Sequence, residues 1–452
     1  MNDTIAAIST PTGESAIAAV RLSGPDCLKL AREVFLLGRP PTPRKMSYGI
    51  YRDRFGNTVD DAAFCAYAAP SSYTGENMLE IFPHGNPFIL RKILDDLAAR
   101  GARLAQPGEF TRRAFLNDKF DLSQAEAVAR IIGARSDAAL SAARKQFGGD
   151  IGRRISAISS EVLDMKALIE AYIDFPDEDL PPEDSRRLCE TADRVYGEMS
   201  RLAETSKYDS LLRDGIKVVI AGAPNAGKSS LMNALLGRER AIVSPTAGTT
   251  RDFIDDRMML GEFVLNLTDT AGLRRDAEDI EEEGIRRAYE KIGDSDICLL
   301  VLDSAGGVRE STRRTLESAG ESSVIAVLNK CDLPEARPED FAKMLSGVET
   351  VKVSCKNFDG IEALREKILE VIRSKFIRPA ADDVTVGARH AEALSRAKQS
   401  LKCARDKIIE SAPAELTASD LSDALDALGE IVGKTDCEEV LDRIFSKFCI
   451  GK

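Results

Sequence analysis

The spacing of apolar residues changes character several times along the chain. Residues 1–118 mix short strand-like runs, Ile17–Leu22 and Ala62–Ala68, with turn signals at Pro11-Thr12-Gly13, Ser23-Gly24-Pro25 and Phe55-Gly56-Asn57. One amphipathic helix is expected over Ile89–Ala99, so this part reads as a small α+β domain. From 119 to 212 the period turns helical: Ala125 to Phe147 and Ile155 to Tyr172 hold apolar residues three and four apart. The acidic, proline-bearing stretch Asp174–Pro182 interrupts them, and a further helix is expected over 184–211. Residues 213–377 alternate continuous apolar strands with helical stretches, the pattern of a doubly wound α/β fold. Residues 378–452 return to helix, roughly over 388–411 and 419–448. The predicted organisation is an α/β domain inserted into an all-α domain whose two halves flank it.

Composition narrows the class. With 452 residues, two or three domains are expected, and 43% apolar residues suffice for packed cores. The formal charge of −12 leaves any nucleic-acid contact to a local basic patch. Arg144, Lys145, Arg153 and Arg154 form the best cluster, and a solvated helix face accounts for it equally well. Nine cysteines without a C-x-x-C pair, and only two histidines, His84 and His390, argue against structural zinc and for reduced thiols. No apolar run reaches membrane-spanning length and the N-terminus lacks a signal pattern, so a soluble, cytoplasmic protein is expected.

The chemistry is concentrated in the α/β part. The strand run Lys217–Ala221 leads into Gly222-Ala223-Pro224-Asn225-Ala226-Gly227-Lys228-Ser229, and Ser230 to Leu236 continues as helix. Strand, glycine loop and helix form the context in which G-x-x-x-x-G-K-S cradles phosphates. Loop N–H groups face the phosphates, Lys228 adds a charge, and the Ser229 hydroxyl suits Mg²⁺. Gly248-Thr249-Thr250-Arg251-Asp252 follows in a turn-rich stretch, with Thr250 a second hydroxyl for Mg²⁺. Phe263–Thr268 is a strand ending in Asp269-Thr270-Ala271-Gly272, which brings a carboxylate towards the metal and an N–H towards the γ-phosphate. Val324–Leu328 ends in Asn329-Lys330-Cys331-Asp332. The Asp332 carboxylate can accept from guanine's ring N–H and amino group. Adenine offers neither donor there, and an unpaired acceptor amounts to discrimination on the order of a thousandfold. Ser354-Cys355-Lys356, after the strand Thr350–Val353, can close the base pocket with N–H groups. The four motifs in this order predict GTP binding.

Hydrolysis cannot follow the Ras pattern, because Leu273 stands where a glutamine would orient the water. The nearest acids are Glu278-Asp279-Ile280-Glu281-Glu282-Glu283, which also suit an ordinary helix start. Arg251, Arg274 and Arg275 are the nearby guanidiniums. The Asn225 amide could coordinate a cation or cap its own loop.

The chain resembles the MnmE (TrmE) family of tRNA wobble-uridine modification GTPases along essentially its whole length. The most specific matches are Asp3–Pro11, Tyr73–Glu80, Pro107–Thr111 with Ala114–Lys119, Ile173–Asp177 and the terminal Phe445–Lys452. The resemblance implies an N-terminal folate-binding and dimerisation domain (1–118), a discontinuous helical domain (119–212 and 378–452) and an inserted Ras-like GTPase domain (213–377). It implies a homodimer that works with an FAD-containing, MnmG-like flavoprotein. With a reduced folate as one-carbon donor, the complex adds an aminomethyl-type group at carbon 5 of the wobble uridine. It extends the nucleotide site to Asn225 through Ser230, Ser244, Pro245, Thr246, Ala247 and Gly248 through Thr250, with Asp269 through Gly272. It implies a potassium ion held by Asn225, Ser244, Thr246 and Thr249, and a water-orienting role for Glu281. Folate contacts fall on Arg21, Glu80, Lys119 and Lys452, and Cys449 is the family's near-terminal thiol. Two positions depart from the family pattern: Ala223 stands where arginine is common, and Asn86 where glycine is common. His84, in Pro83-His84-Gly85, suits a structural role.

Two other functions share these motifs. A ribosome-assembly GTPase would be expected to append a basic RNA-binding module, whereas this chain ends in an acidic helical segment. An interaction protein with structural GTP would suit Leu273 but not Glu281.

Overall fold

The computed structural model describes residues 3–11, 13–174, 182–237, 255–269, 289–307, 310–319, 322–375, 384–434, 438–446 and 448–451. The chain divides into two compact units: Met1–Ile132 with Arg144–Met199 and Ala393–Lys452, and Gly133–Ala143 with Ser200–Glu392.

The first unit holds a six-stranded sheet of β1 (Ile5–Ile8), β2 (Val20–Ser23), β3 (Ser47–Arg52), β4 (Thr58–Tyr67), β5 (Met78–Phe82) and β6 (Arg103–Leu104). Their order is β3-β4-β5-β2-β1-β6, antiparallel except for the β1–β6 pair. Period-2 alternation sends Val20, Leu22, Phe64, Ala66, Leu79 and Ile81 into a core with Leu30 and Val34 of the helix Cys27–Val34 and Leu90 and Ile93 of Pro87–Ala99. The intervening residues face the other way, and there Arg21 lies opposite Glu80 and Glu80 opposite Cys65. The expected strand over 17–22 begins only at Val20. Ala18 N–H instead donates to the Pro83 carbonyl and Ala19 N–H to the Thr10 hydroxyl. Asn86 starts the helix Pro87–Ala99: its side-chain oxygen accepts from Phe88 N at 2.8 Å, ahead of a proline at the first helical position.

The helix expected over 125–147 is two, Leu122–Gly133 and Asp137–Phe147, because Gly133 ends the first and the Ser136 hydroxyl accepts from Ala139 N at the start of the second. The stretch 419–448 is likewise broken, into Ala414–Val432 and Glu438–Phe445. Gly433 closes the first of these with φ +80°, and a Cβ there would lie 2.8 Å from the Phe115 ring. Helix Asp150–Asp174 packs against Ala414–Val432, burying Ile155, Ile158, Val162 and Ile169 of one and Leu421, Ala424, Leu428 and Ile431 of the other.

Residues 448–451 return to the N-terminal sheet. Ile450 bridges Pro107, and Ser9 Oγ donates to the Gly451 carbonyl at 3.1 Å. Gly451 has φ +97°, and a Cβ on it would lie 2.3 Å from the Ile8 carbonyl, so only glycine fits this approach. Nearby, the fully buried Arg113 guanidinium donates to Asp3, Glu76 and Glu109 and ties the N-terminus to the helix Glu109–Leu116.

The second unit is a doubly wound α/β domain. Strands β7 (Ile216–Gly222), β8 (Asp255–Leu260), β9 (Phe263–Asp269), β10 (Ile297–Asp303), β11 (Ser323–Asn329) and β12 (Glu349–Lys352) lie in the order β12-β11-β10-β7-β9-β8. All pairs are parallel except β8–β9. The central strands are near-continuous apolar runs because both faces are covered. Val218, Ile220, Leu299 and Val301 pack under the helices Lys228–Leu236 and Ile361–Lys375, while Val219, Ala221 and Cys298 face Ile292 and Ala319. Among the described residues no helix is long and apolar enough to cross a membrane.

Candidate functional site

The phosphate loop follows from two glycines. Gly222 ends β7 at φ +144°, where a Cβ would meet the Val301 carbonyl at 2.3 Å. Gly227 opens the helix Lys228–Leu236 at φ +99°, where a Cβ would lie 2.2 Å from Asn329 Nδ2. Between them Asn225 also takes a positive φ of 64°. Successive N–H groups in such a turn, leading into a helix N-terminus, form a concavity suited to anions. The buried Lys228 ammonium donates to the Gly222 and Ala223 carbonyls at 3.1 and 3.0 Å, so its charge stays at the loop. Ser229, Ser230 and Asn225 are exposed there, and Ala226 is buried beneath. The backbone of Asp269 ends β9 opposite Ile220 of β7, at the same end of the sheet.

Asn329 fastens three motifs together. Its Nδ2 donates to the Ala226 carbonyl at 2.9 Å, and its Oδ1 accepts from Cys355 N at 3.2 Å. It is buried, so both amide atoms need these partners. Ser354 Oγ donates to Asp332 Oδ1 at 2.7 Å while accepting from Asn357 N at 3.2 Å. One carboxylate oxygen is thus held, and its orientation is fixed before any base arrives. Burial pushes the Cys355 thiol up to about 11, with Asp332 adding to the shift, so Cys355 stays a neutral thiol and serves through its backbone. Lys356 is exposed at the rim. Lys330, at φ +62°, places its ammonium 2.6 Å from Asp303 Oδ2 at the end of β10. Sequence reasoning did not single out Asp303; its place at the end of the apolar run Ile297–Leu302, level with Asn329, was the available signal.

Ser244, Pro245, Thr246, Ala247, Gly248, Thr249 and Thr250 lie outside the described residues, as do Thr270, Ala271, Gly272, Leu273, Glu281 and Lys452, and likewise Arg251, Arg274 and Arg275.

In the other unit, Arg21 Nε and Nη2 both reach Glu80 Oε1, at 2.9 and 2.8 Å. Tyr67 Oη donates to Glu80 Oε2 at 3.2 Å. The Arg21 guanidinium lies over the Tyr73 and Phe110 rings, 5.4 and 5.8 Å from their centroids, and its Nη1 reaches the Gly451 carbonyl at 3.5 Å. Arg21, Glu80 and the chain's last residues therefore meet. Lys119 donates to the Pro70 carbonyl instead, on the loop that carries Gly75. Cys449 is exposed; its carbonyl accepts from Gly108 N at 3.4 Å. His84 Nδ1 sits 2.9 Å from Asp60 Oδ1, whose other oxygen accepts from His84 N, a structural pairing. Tyr67 was the residue that sequence reasoning missed here; strand alternation opposite Met78 places it next to Glu80. In the basic cluster, Arg153 pairs with Asp150 and Arg154 with Glu198, so these cations already face acids.

The family model of the "GTP-binding protein TrmE N-terminus" matches residues 4–119, and that of the "MnmE helical domain" matches residues 122–449. The chain is 45% identical over its whole length to 99% of the tRNA modification GTPase MnmE of Opitutus terrae, and 40% identical over its whole length to all of that of Aquifex aeolicus. Among solved structures, the G domain of the T. maritima FeoB iron transporter matches 35% of this chain with 99% of its own, at 29% identity and a TM-score of 0.27. The chain belongs to the MnmE family of tRNA modification GTPases.

Proposed function

We propose that this GTPase is potassium-activated and acts with an FAD-containing, MnmG-like partner. Together they install an aminomethyl or carboxymethylaminomethyl group at carbon 5 of the wobble uridine of certain tRNAs, with a reduced folate as carbon donor. The observation that carries the proposal is the conjunction of two sites in one chain: a guanine-reading set around Asn329 and Asp332, and the Arg21–Glu80 pair beside the C-terminal residues. Residues 213–377 are the GTPase domain. Residues 1–118 form the folate-binding domain, and 119–212 with 378–452 form the helical domain.

In this reading the loop amides and Lys228 bind the GTP phosphates, Ser229 and Thr250 hold Mg²⁺, and Asp332 reads guanine. Ser229 fits this donor set, since it is an exposed residue in the first turn after the loop. Mg²⁺ supplies charge neutralisation at the phosphates. Asn225, exposed beside the loop, supplies the side-chain oxygen for potassium, with Ser244, Thr246 and Thr249 completing the set. Glu281 orients the attacking water. Glu80 pairs with the pterin's donor edge, and Lys119 and Lys452 meet the glutamate tail. The sheet face that carries Arg21 and Glu80 extends to the exposed Tyr48 and Ile50 of edge strand β3, which suits pairing with a second copy. The protein works in the cytoplasm.

Two measurements test the proposal together. GTP turnover is compared in potassium and sodium chloride, and binding of 5-formyltetrahydrofolate is measured by calorimetry. Faster turnover in potassium and stoichiometric folate binding are expected. A rate indifferent to the cation, with no folate bound, returns the protein to the class of regulatory GTPases without modification chemistry.

A further inference from the structure

We propose that Asp303 is a positioning residue for guanine-nucleotide binding, acting through Lys330; the inference rests on the reading of Asn329, Lys330 and Asp332 as the base pocket. Asp303 is the last residue of β10, and Asn329 is its register partner at the end of β11. Its two carboxylate oxygens have separate partners. Oδ1 accepts from Ala305 N at 3.0 Å, which closes the turn after β10, and Oδ2 lies 2.6 Å from Lys330 Nζ. The turn grips the guanine motif at its backbone as well: Ser304 N donates to the Asn329 carbonyl at 3.0 Å, and Ser304 Oγ sits 3.5 Å from Cys331 Sγ.

The pairing matters because of where Lys330 stands. It lies between Asn329, which is tied to the phosphate loop, and Asp332, which is aimed by Ser354. A lysine left free at this position has four rotatable bonds and a cation that can swing towards another carboxylate. Asp332, two residues along the chain, is such a carboxylate. An ammonium resting on Asp332 would occupy the acceptor that guanine needs. Asp303 offers a competing carboxylate and holds the ammonium 2.6 Å from its Oδ2. It does two things at once: it keeps Asp332 open, and it leaves the apolar stem of Lys330 extended as a ready surface for the flat base. The loss of one uncharged turn contact could not have this effect, since Ala305 is bound by a different oxygen.

The experiment uses the full chain and separates the two oxygens. Asp303→Asn keeps an acceptor for Ala305 N but loses the charge that holds Lys330. Fluorescent GDP binding and steady-state GTP turnover are measured for the wild type, D303N, K330M and the double variant. We expect D303N to weaken GDP binding about tenfold, with the loss in KM for GTP rather than in kcat. In the K330M background the same change should have no further effect. Wild-type affinity in D303N, or an equal loss with and without Lys330, overturns the proposal. Asp332→Asn in the same series tests the underlying pocket: if it leaves guanine affinity intact, the reading of the pocket fails, whatever D303N does.

Discussion

On the proposed reading, single side chains decide the selectivity of the nucleotide site. In the proposed base pocket Asp332 is the guanine acceptor, and Ser354 Oγ donates to one of its oxygens. Asp332→Asn replaces one acceptor oxygen with a donor, so guanine affinity is expected to fall on the order of a thousandfold and xanthine affinity to rise. Competition binding with GDP and XDP checks this. Gly227 is the backbone counterpart. Its positive φ and the 2.2 Å approach to Asn329 Nδ2 leave no room for a methyl group. Gly227→Ala is therefore expected to abolish tight GDP binding in a protein that remains folded, which circular dichroism beside the binding titration would show. The turn at Gly227 was legible in the sequence, since a motif fixes which backbone conformations its chemistry requires. Asp303 was not. Its partner lies just past the end of the next strand, 27 residues further on, and no local pattern records a contact that strand register brings about. The same holds for Tyr67, which reaches Glu80 only because β4 pairs with β5.

At the level of elements, periodicity located most helices and strands and misplaced their ends. Apolar spacing carries straight across a break when both flanking helices bury the same kind of stripe, as at Gly133 and Gly433. The break itself lies in one residue's φ or one hydroxyl cap. Asn86 shows such a cap working. It departs from the glycine common in the family, and its side chain accepts from Phe88 N. Asn86→Ala is expected to cost about 1 kcal/mol and to lower the melting temperature of the unit by a few degrees, read by calorimetry. Glu109, at the first turn of its helix, opens a second test. Burial raises its pKa, but hydrogen bonds from Arg103, Gln106 N and Arg113 outweigh that, so the carboxyl sits below its ordinary value of 4.5. An acid depressed in the folded state stabilises above its unfolded pKa and loses that contribution as pH falls through the folded value. The N-terminal unit is thus expected to lose stability below about pH 4.5, and Glu109→Gln to flatten that loss in a urea titration repeated across acid pH.

For the whole molecule, the order of domains was readable from texture alone, since alternating strands and helices bounded by helical stretches announce an inserted α/β domain. The docking of the last residues on the first sheet was not readable, because no periodicity links residue 21 to residue 451. Gly451 holds that docking through its approach to the Ile8 carbonyl. Gly451→Ala is expected to free the tail and weaken folate binding severalfold, while GTP turnover stays at the wild-type rate. Parallel folate calorimetry and phosphate-release assays check both halves.

The same docking sets a timetable for synthesis. Arg21 emerges early from the ribosome, and its carbonyl partner follows 430 residues later. Throughout that interval the corner that receives residues 450 and 451 stands open. A site proposed to use this corner therefore depends on residues made some 430 positions after Arg21.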